Sequence, residues 1–152
     1  MFNMISTKQG EWEYQYTLKH YNYEVINVSN EPDYWDKDID CISVNPITKN
    51  VATHEIKWDK RIAETGNLYI EIKNPRSRNG QGWFYFCEAD LLAYGDAYNK
   101  VFYVIDMKQL KEYIEKNKDN LHIVSTFDGS EGYALPLENI KDLITDEIYS
   151  VI

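Results

Sequence analysis

The tripeptide Glu-Ile-Lys occurs twice in the chain, at residues 55–57 and again at 71–73. In each copy Glu and Lys flank an isoleucine, the spacing that puts both charges on one face of an extended strand and the isoleucine on the other. The flanking residues keep the same alternation, as "VATHEIKW" (51–58) and "LYIEIK" (68–73). A helix would scatter these charges around its circumference, so both segments are expected to be strands with one buried and one polar face.

A further strand, "IDCISV" (39–44), precedes the first copy across "NPITKN" (45–50), whose Asn-Pro and Lys-Asn pairs have turn chemistry. If Val44 and Val51 flank that turn, Ile42 faces Thr53, Cys41 faces His54, Asp40 faces Glu55 and Asp38 faces Lys57. Opposed side chains have Cβ atoms only ~4.5 to 5.5 Å apart, so Asp40 against Glu55 is destabilising unless something offsets the charge, as a divalent cation would. The second copy admits two registers as a third antiparallel strand. One sets Glu71 opposite Glu55, giving three carboxylates in a row beside Lys57. The other sets Glu71 opposite Lys57 and Lys73 opposite Glu55, two cross-strand salt bridges.

Around these strands the chain of 152 residues has the length of one domain, taken as 1–152, without repeats or a Pro/Gly-rich linker. Ser6 and Gln9 have capping-box spacing for a helix running to about His20, with Tyr14, Leu18 and Tyr21 on one face. "YEVINV" (23–28) reads as a short strand. The second half of "WFYFCEADLLAYGDA" (83–97) reads as a helix ending near Gly95, and "KVFYVID" (100–106) as a buried strand. Asp106 and Gln109 cap a helix over "MKQLKEYIEKN" with Leu110, Tyr113 and Ile114 inward, "LHIVST" is a further strand, and Pro136 at the first position opens a last helix. The aromatic run 83–86 is core material apart from Trp83. An α/β fold with a mixed central sheet between helices follows.

The net charge is −9, yet residues 57–78 carry six bases (Lys57, Lys60, Arg61, Lys73, Arg76, Arg78) against three acids, leaving −12 for the rest. A nucleic acid would meet the chain in that window. Cys41 and Cys87 lack metal-ligand spacing and read as reduced interior thiols, and the three histidines are too scattered for a zinc site. No signal peptide or apolar run of membrane-spanning length is present, so a cytoplasmic protein is expected, with no membrane partner.

Asp40 opening "DCISV", Glu55 and Lys57 in "HEIKW", and the αβββαβ order of elements from about Glu11 to Asp106 resemble the PD-(D/E)xK nuclease superfamily, with its restriction-endonuclease-like core. Thr65-Gly66-Asn67 before a strand bearing Glu71 is similar to a phage-associated branch, whose members would work in the host cytoplasm. Ile39 stands where the superfamily often has proline. The resemblance implies catalytic roles for Asp40, Glu55 and Lys57. It also implies a Mg²⁺ site, with Mn²⁺ as substitute, held by Asp40, Glu55 and the Ile56 carbonyl and extended by Glu71. Glu11 would be an auxiliary carboxylate, with Glu13 as its competitor and surface helix acids as the alternative for both. Gln81 would be auxiliary, and Lys60, Arg61, Lys73, Arg76 and Arg78 would contact phosphates.

The expected function is metal-dependent hydrolysis of DNA phosphodiesters, for which a homodimer would suit a two-strand cut. The competing expectation is a catalytically inactive, nuclease-like binding or inhibitory protein that engages a protein partner through its acidic surface. The six acids against one base from Phe127 onward motivate it.

Overall fold

The computed structural model describes residues 4–152; the side chains of Met4, Ile5, Ser6 and Arg78 lie outside the described residues. Helix α1 (Met4–His20) leads through strand β1 (Glu24–Asn27) and the short α2 (Pro32–Trp35) into the hairpin of β2 (Cys41–Val44) and β3 (Val51–Asp59). One turn of helix, α3 (Ile62–Thr65), then precedes β4 (Asn67–Lys73), the short α4 (Trp83–Phe86), β5 (Leu91–Asp96) and β6 (Val101–Asp106). Helix α5 (Met107–Asn117) and strands β7 (His122–Ser125), β8 (Glu131–Pro136) and β9 (Ile144–Tyr149) complete the order. Among the described residues, no helix is long and apolar enough to cross a membrane.

Six strands form one mixed sheet in the order β1-β2-β3-β5-β6-β9, with β3 and β5 parallel and every other pair antiparallel. The hairpin has the register read from its turn, pairing Val44 with Val51, Ile42 with Thr53 and Cys41 with His54. A second sheet of three strands has β8 between β4 and β7. On one face of the large sheet, Tyr14 and Leu18 of α1 pack on Cys41, Ile56, Trp58, Ala93 and Phe102. On the other, Leu92, Tyr94 and Ile105 meet Leu68 and Ile70 of β4, Leu135 of β8, and Leu110 and Ile114 of α5. Each large apolar side chain buried in this way contributes about 1.5–3 kcal/mol. Helix α5 starts where its sequence says, with Asp106 Oδ1 accepting from the Gln109 N–H at 2.9 Å.

Four expectations need correction. β4 does not follow β3 in the meander: β3 has β5 as its other neighbour, and β4 pairs with β8. Neither proposed register across β3 and β4 exists, because Leu68 and Ile70 bury the apolar face of β4 between the two sheets. The third antiparallel strand is β1, paired Asn27 to Cys41, so α1, the meander β1-β2-β3 and the parallel β5 supply the αβββαβ order. Residues 91–96, expected in a helix, form β5, a central strand buried on both faces, where a continuous apolar run is the rule. After Pro136, which caps rather than opens it, the last helix is a 3₁₀ segment (Leu137–Leu143) that runs into β9. Of the aromatic run Phe84 is buried, but Tyr85 is 49% exposed and is not core.

His54 ties the first layer together. Its Nδ1 lies 3.0 Å from the Tyr14 hydroxyl of α1 and its Nε2 lies 2.7 Å from the Ser43 hydroxyl of β2. Burial pushes its pKa down to about 4. The folded chain holds His54 neutral where the unfolded chain, at an ordinary 6.5, has begun to protonate it, so its contribution is complete above 6.5 and is lost as pH falls toward 4. Urea titrations between pH 7 and 4 are expected to show a loss on the order of 3 kcal/mol from this residue, with a shallower slope in His54→Gln.

Candidate functional site

β3 runs to Asp59, but its pairing with β2 stops at His54. The Asp40 N–H donates to the His54 carbonyl at 2.8 Å, and Asp40 Oδ2 accepts from the Ile56 N–H at 2.8 Å. The side chain therefore completes the ladder for one further residue and fixes its own carboxylate at a notch in the sheet. The Val28 N–H holds the Asp40 carbonyl at 2.9 Å from the other side.

Around this notch the acids converge from both layers. Glu55 is buried and its Oε1 lies 2.7 Å from Lys57 Nζ, two residues along the same strand face. Burial, Asp40 and Asp38 push Glu55 up while Lys57 pulls it back. Burial pulls the Lys57 ammonium down, but Glu55 and its hydrogen bond, with Asp40 and Asp38 behind, outweigh that and raise it above the ordinary lysine value. Lys57 therefore keeps its proton and donates a hydrogen bond to Glu55 Oε1. The Lys57 ammonium also sits 5.0 Å from the centre of the Trp83 ring, a cation–π support from α4.

Glu11 reaches Asp40 from α1. Its pKa is raised to about 7, first by burial, then by the charge of Asp40 and a hydrogen bond between the two carboxyls, with Lys8 and Lys57 opposing. Glu13, its competitor, turns inward and is fully buried on Lys100, Ser150 and Gln9. Asp38, not among the expected site residues, is raised by burial and by Asp40 and Glu71. It stands at φ 51° with its carbonyl receiving the Cys87 thiol at 3.6 Å. The two-residue spacing to Asp40, which placed it opposite Lys57, was the signal for it.

The row of three carboxylates across three strands does not form. Glu71 arrives from the second sheet, held at 3.4 Å by the Asn74 amide, and acts on Asp38 through its charge. The Gly82 backbone lies so close to the Glu71 carbonyl that an added Cβ would collide with it, and Lys73 bridges to Gln81 beside this pinch. Gln81 itself is exposed, its carbonyl receiving the Ser77 hydroxyl. Lys60, Arg61 and Lys73 are exposed, and Arg76 is paired with Asp128 at 2.5 Å. Both thiols are buried and pushed up by burial, as interior cysteines should be. Among the described residues, no three Asp, Glu, His or Cys side chains form a ready-made metal cage. Four acids, Glu11, Asp38, Asp40 and Glu55, nevertheless gather around Lys57, with Lys8 3.9 Å from Glu11 at the edge, a hard-oxygen set with surplus negative charge.

No protein-family model and no curated protein matches the chain. The fold is similar to the solved structure of a bacterial homing endonuclease, I-Ssp6803I, with a TM-score of 0.54, 11% identical residues, and coverage of 89% of this chain and 79% of that one. At that identity the likeness defines the fold alone, which is nuclease-like.

Glu11 releases its proton near 4.5 in the unfolded chain and near 7 in the folded one, so its contribution is full below 4.5 and is lost as pH rises through 7. With chelator present, Glu11→Gln is expected to gain stability over the wild type between pH 5 and 8, by up to about 3 kcal/mol in urea titrations.

Proposed function

We propose that the chain is a metal-dependent nuclease of the PD-(D/E)xK type that hydrolyses DNA phosphodiesters. The observation that carries the reading is the notch, where the Asp40 carboxylate is fixed by the Ile56 N–H and Lys57 lies 2.7 Å from Glu55 on the same strand. A fold does not define a function, so the argument rests on the site. Asp40, Glu55 and the Ile56 carbonyl would hold Mg²⁺ or Mn²⁺, and Glu71 would extend the site. The surplus of carboxylates over bases suits such an ion, which prefers oxygen ligands and keeps several waters. When bound, the ion polarises the scissile phosphate and lowers the pKa of a coordinated water.

The remaining work falls to the chain's own groups. Lys57, kept protonated by Glu55 and steadied by Trp83, places a positive charge beside the developing negative charge on phosphate and orients the attacking water. Glu11, with a pKa of about 7, can hold or release a proton next to Asp40 near neutral pH. Lys60, Arg61 and Lys73 are free to face phosphates from the rim, whereas Arg76 must first leave Asp128.

A second reading, an inactive nuclease-like protein bound to a basic protein partner, is favoured by one observation: Glu55 is already bonded to Lys57 at 2.7 Å. Plasmid nicking separates the two. Wild type is expected to nick with Mg²⁺ or Mn²⁺, and Asp40→Asn, Glu55→Gln and Lys57→Met to lose about 100-fold or more. Isothermal titration should show Mg²⁺ binding weakened in the two carboxylate variants and kept in Lys57→Met. A wild type that leaves every DNA form intact with both ions would sink the nuclease reading.

A further inference from the structure

Beside the notch lies a groove of about 360 Å³ between α1 and the loop that follows β1. Its floor on the helix carries Trp12 and Tyr16, which are 51% and 50% exposed, with ring centres 5.8 Å apart. Lys8 and Lys19 line its two ends, roughly 16 Å apart along the helix at about 1.5 Å per residue. The opposite wall includes Asn27 and Asn30, and is fixed by the Trp35 indole N–H on the Ser29 carbonyl at 2.8 Å. Glu11 belongs to both places: it lines the groove and touches Asp40. Asn27 pairs with Cys41, the residue after Asp40, so both walls end at the notch.

Two half-exposed rings one helical turn apart, with an ammonium at each end and amides opposite, match the needs of an unpaired nucleic-acid strand. Bases stack on aromatic faces without regard to sequence, and lysines track the phosphates. Of the acids on this helix Glu13 is turned into the interior, and Glu11, which lines the groove, lies 3.9 Å from Lys8, leaving Lys19 as the second ammonium. We propose that this groove binds single-stranded DNA next to the scissile phosphate, with Trp12 and Tyr16 stacking on bases and Lys8 and Lys19 on phosphates. The inference rests on the nuclease reading and adds to it the substrate class: DNA with an unpaired segment at the cut.

Binding of a short fluorescein-labelled oligothymidylate, followed by anisotropy and tryptophan quenching in EDTA, tests it without cleavage. Trp12→Ala/Tyr16→Ala, checked for folding by circular dichroism, is expected to weaken binding by about tenfold or more, while Trp12→Phe/Tyr16→Phe keeps it within about threefold. A labelled duplex is expected to bind both variants alike. Equal affinity of the alanine variant and wild type for the oligomer overturns the proposal, as does an equal loss on duplex and oligomer. Plasmid nicking by wild type decides the nuclease reading separately. Nicking with no ring dependence leaves that reading standing and removes the groove. Ring-dependent binding without nicking keeps a strand-binding groove and removes the nuclease.

Discussion

Where β2 ends and β3 continues, the Ile56 N–H has lost its neighbouring strand, and Asp40 Oδ2 takes the place of the missing carbonyl. A buried donor left without a partner costs about 1–3 kcal/mol, so the fold has a reason of its own to keep an acid at this position. The same bond fixes the direction of the carboxylate, and it does so at a break in the sheet that both layers can reach. Glu11 approaches from α1, while Glu55, Lys57 and Asp38 approach from the face covered by the second sheet. A site deeper within a continuous sheet would be open to only one of these groups.

Two glutamates on α1, two residues apart, show what partners do to a buried charge. Burial opposes ionisation of both. Glu13 has Lys100, Ser150 and Gln9 within 3.0 Å, and these bonds outweigh burial and pull its pKa below the ordinary value. Glu11 has Asp40 beside it and Lys8 only at 3.9 Å, and burial with Asp40 pushes it the other way. The first is a fastening between α1, the β5–β6 turn and the segment after β9. The second leaves charge unbalanced at the notch, and unbalanced buried charge is characteristic of places where chemistry or ligand binding occurs.

The hairpin was legible in the sequence because a two-residue alternation and one turn fix a register, and Val44/Val51 through Cys41/His54 pair as read; beyond that pair the ladder stops, and Asp40 bonds to His54 and Ile56 instead of pairing with Glu55. Helix α5 was legible from its cap. The position of β4 was not, since Leu68, Ile70 and Ile72 say that one face is buried without saying against what. β5 was misread because a short apolar run is compatible with a buried strand and with a buried helix alike, and only its place beside β3 decides. Asp38 was visible by parity but had no register of its own, and the grouping of Trp83 with Lys57 depends on α4 folding back across the strand.

Gly82 presses its backbone against the Glu71 carbonyl with no room for a side chain between them. Contact that tight does not let two segments slide independently. The loop that carries Arg76 is therefore packed backbone to backbone on the strand that carries both Glu71 and Lys73, so neither can shift without the other.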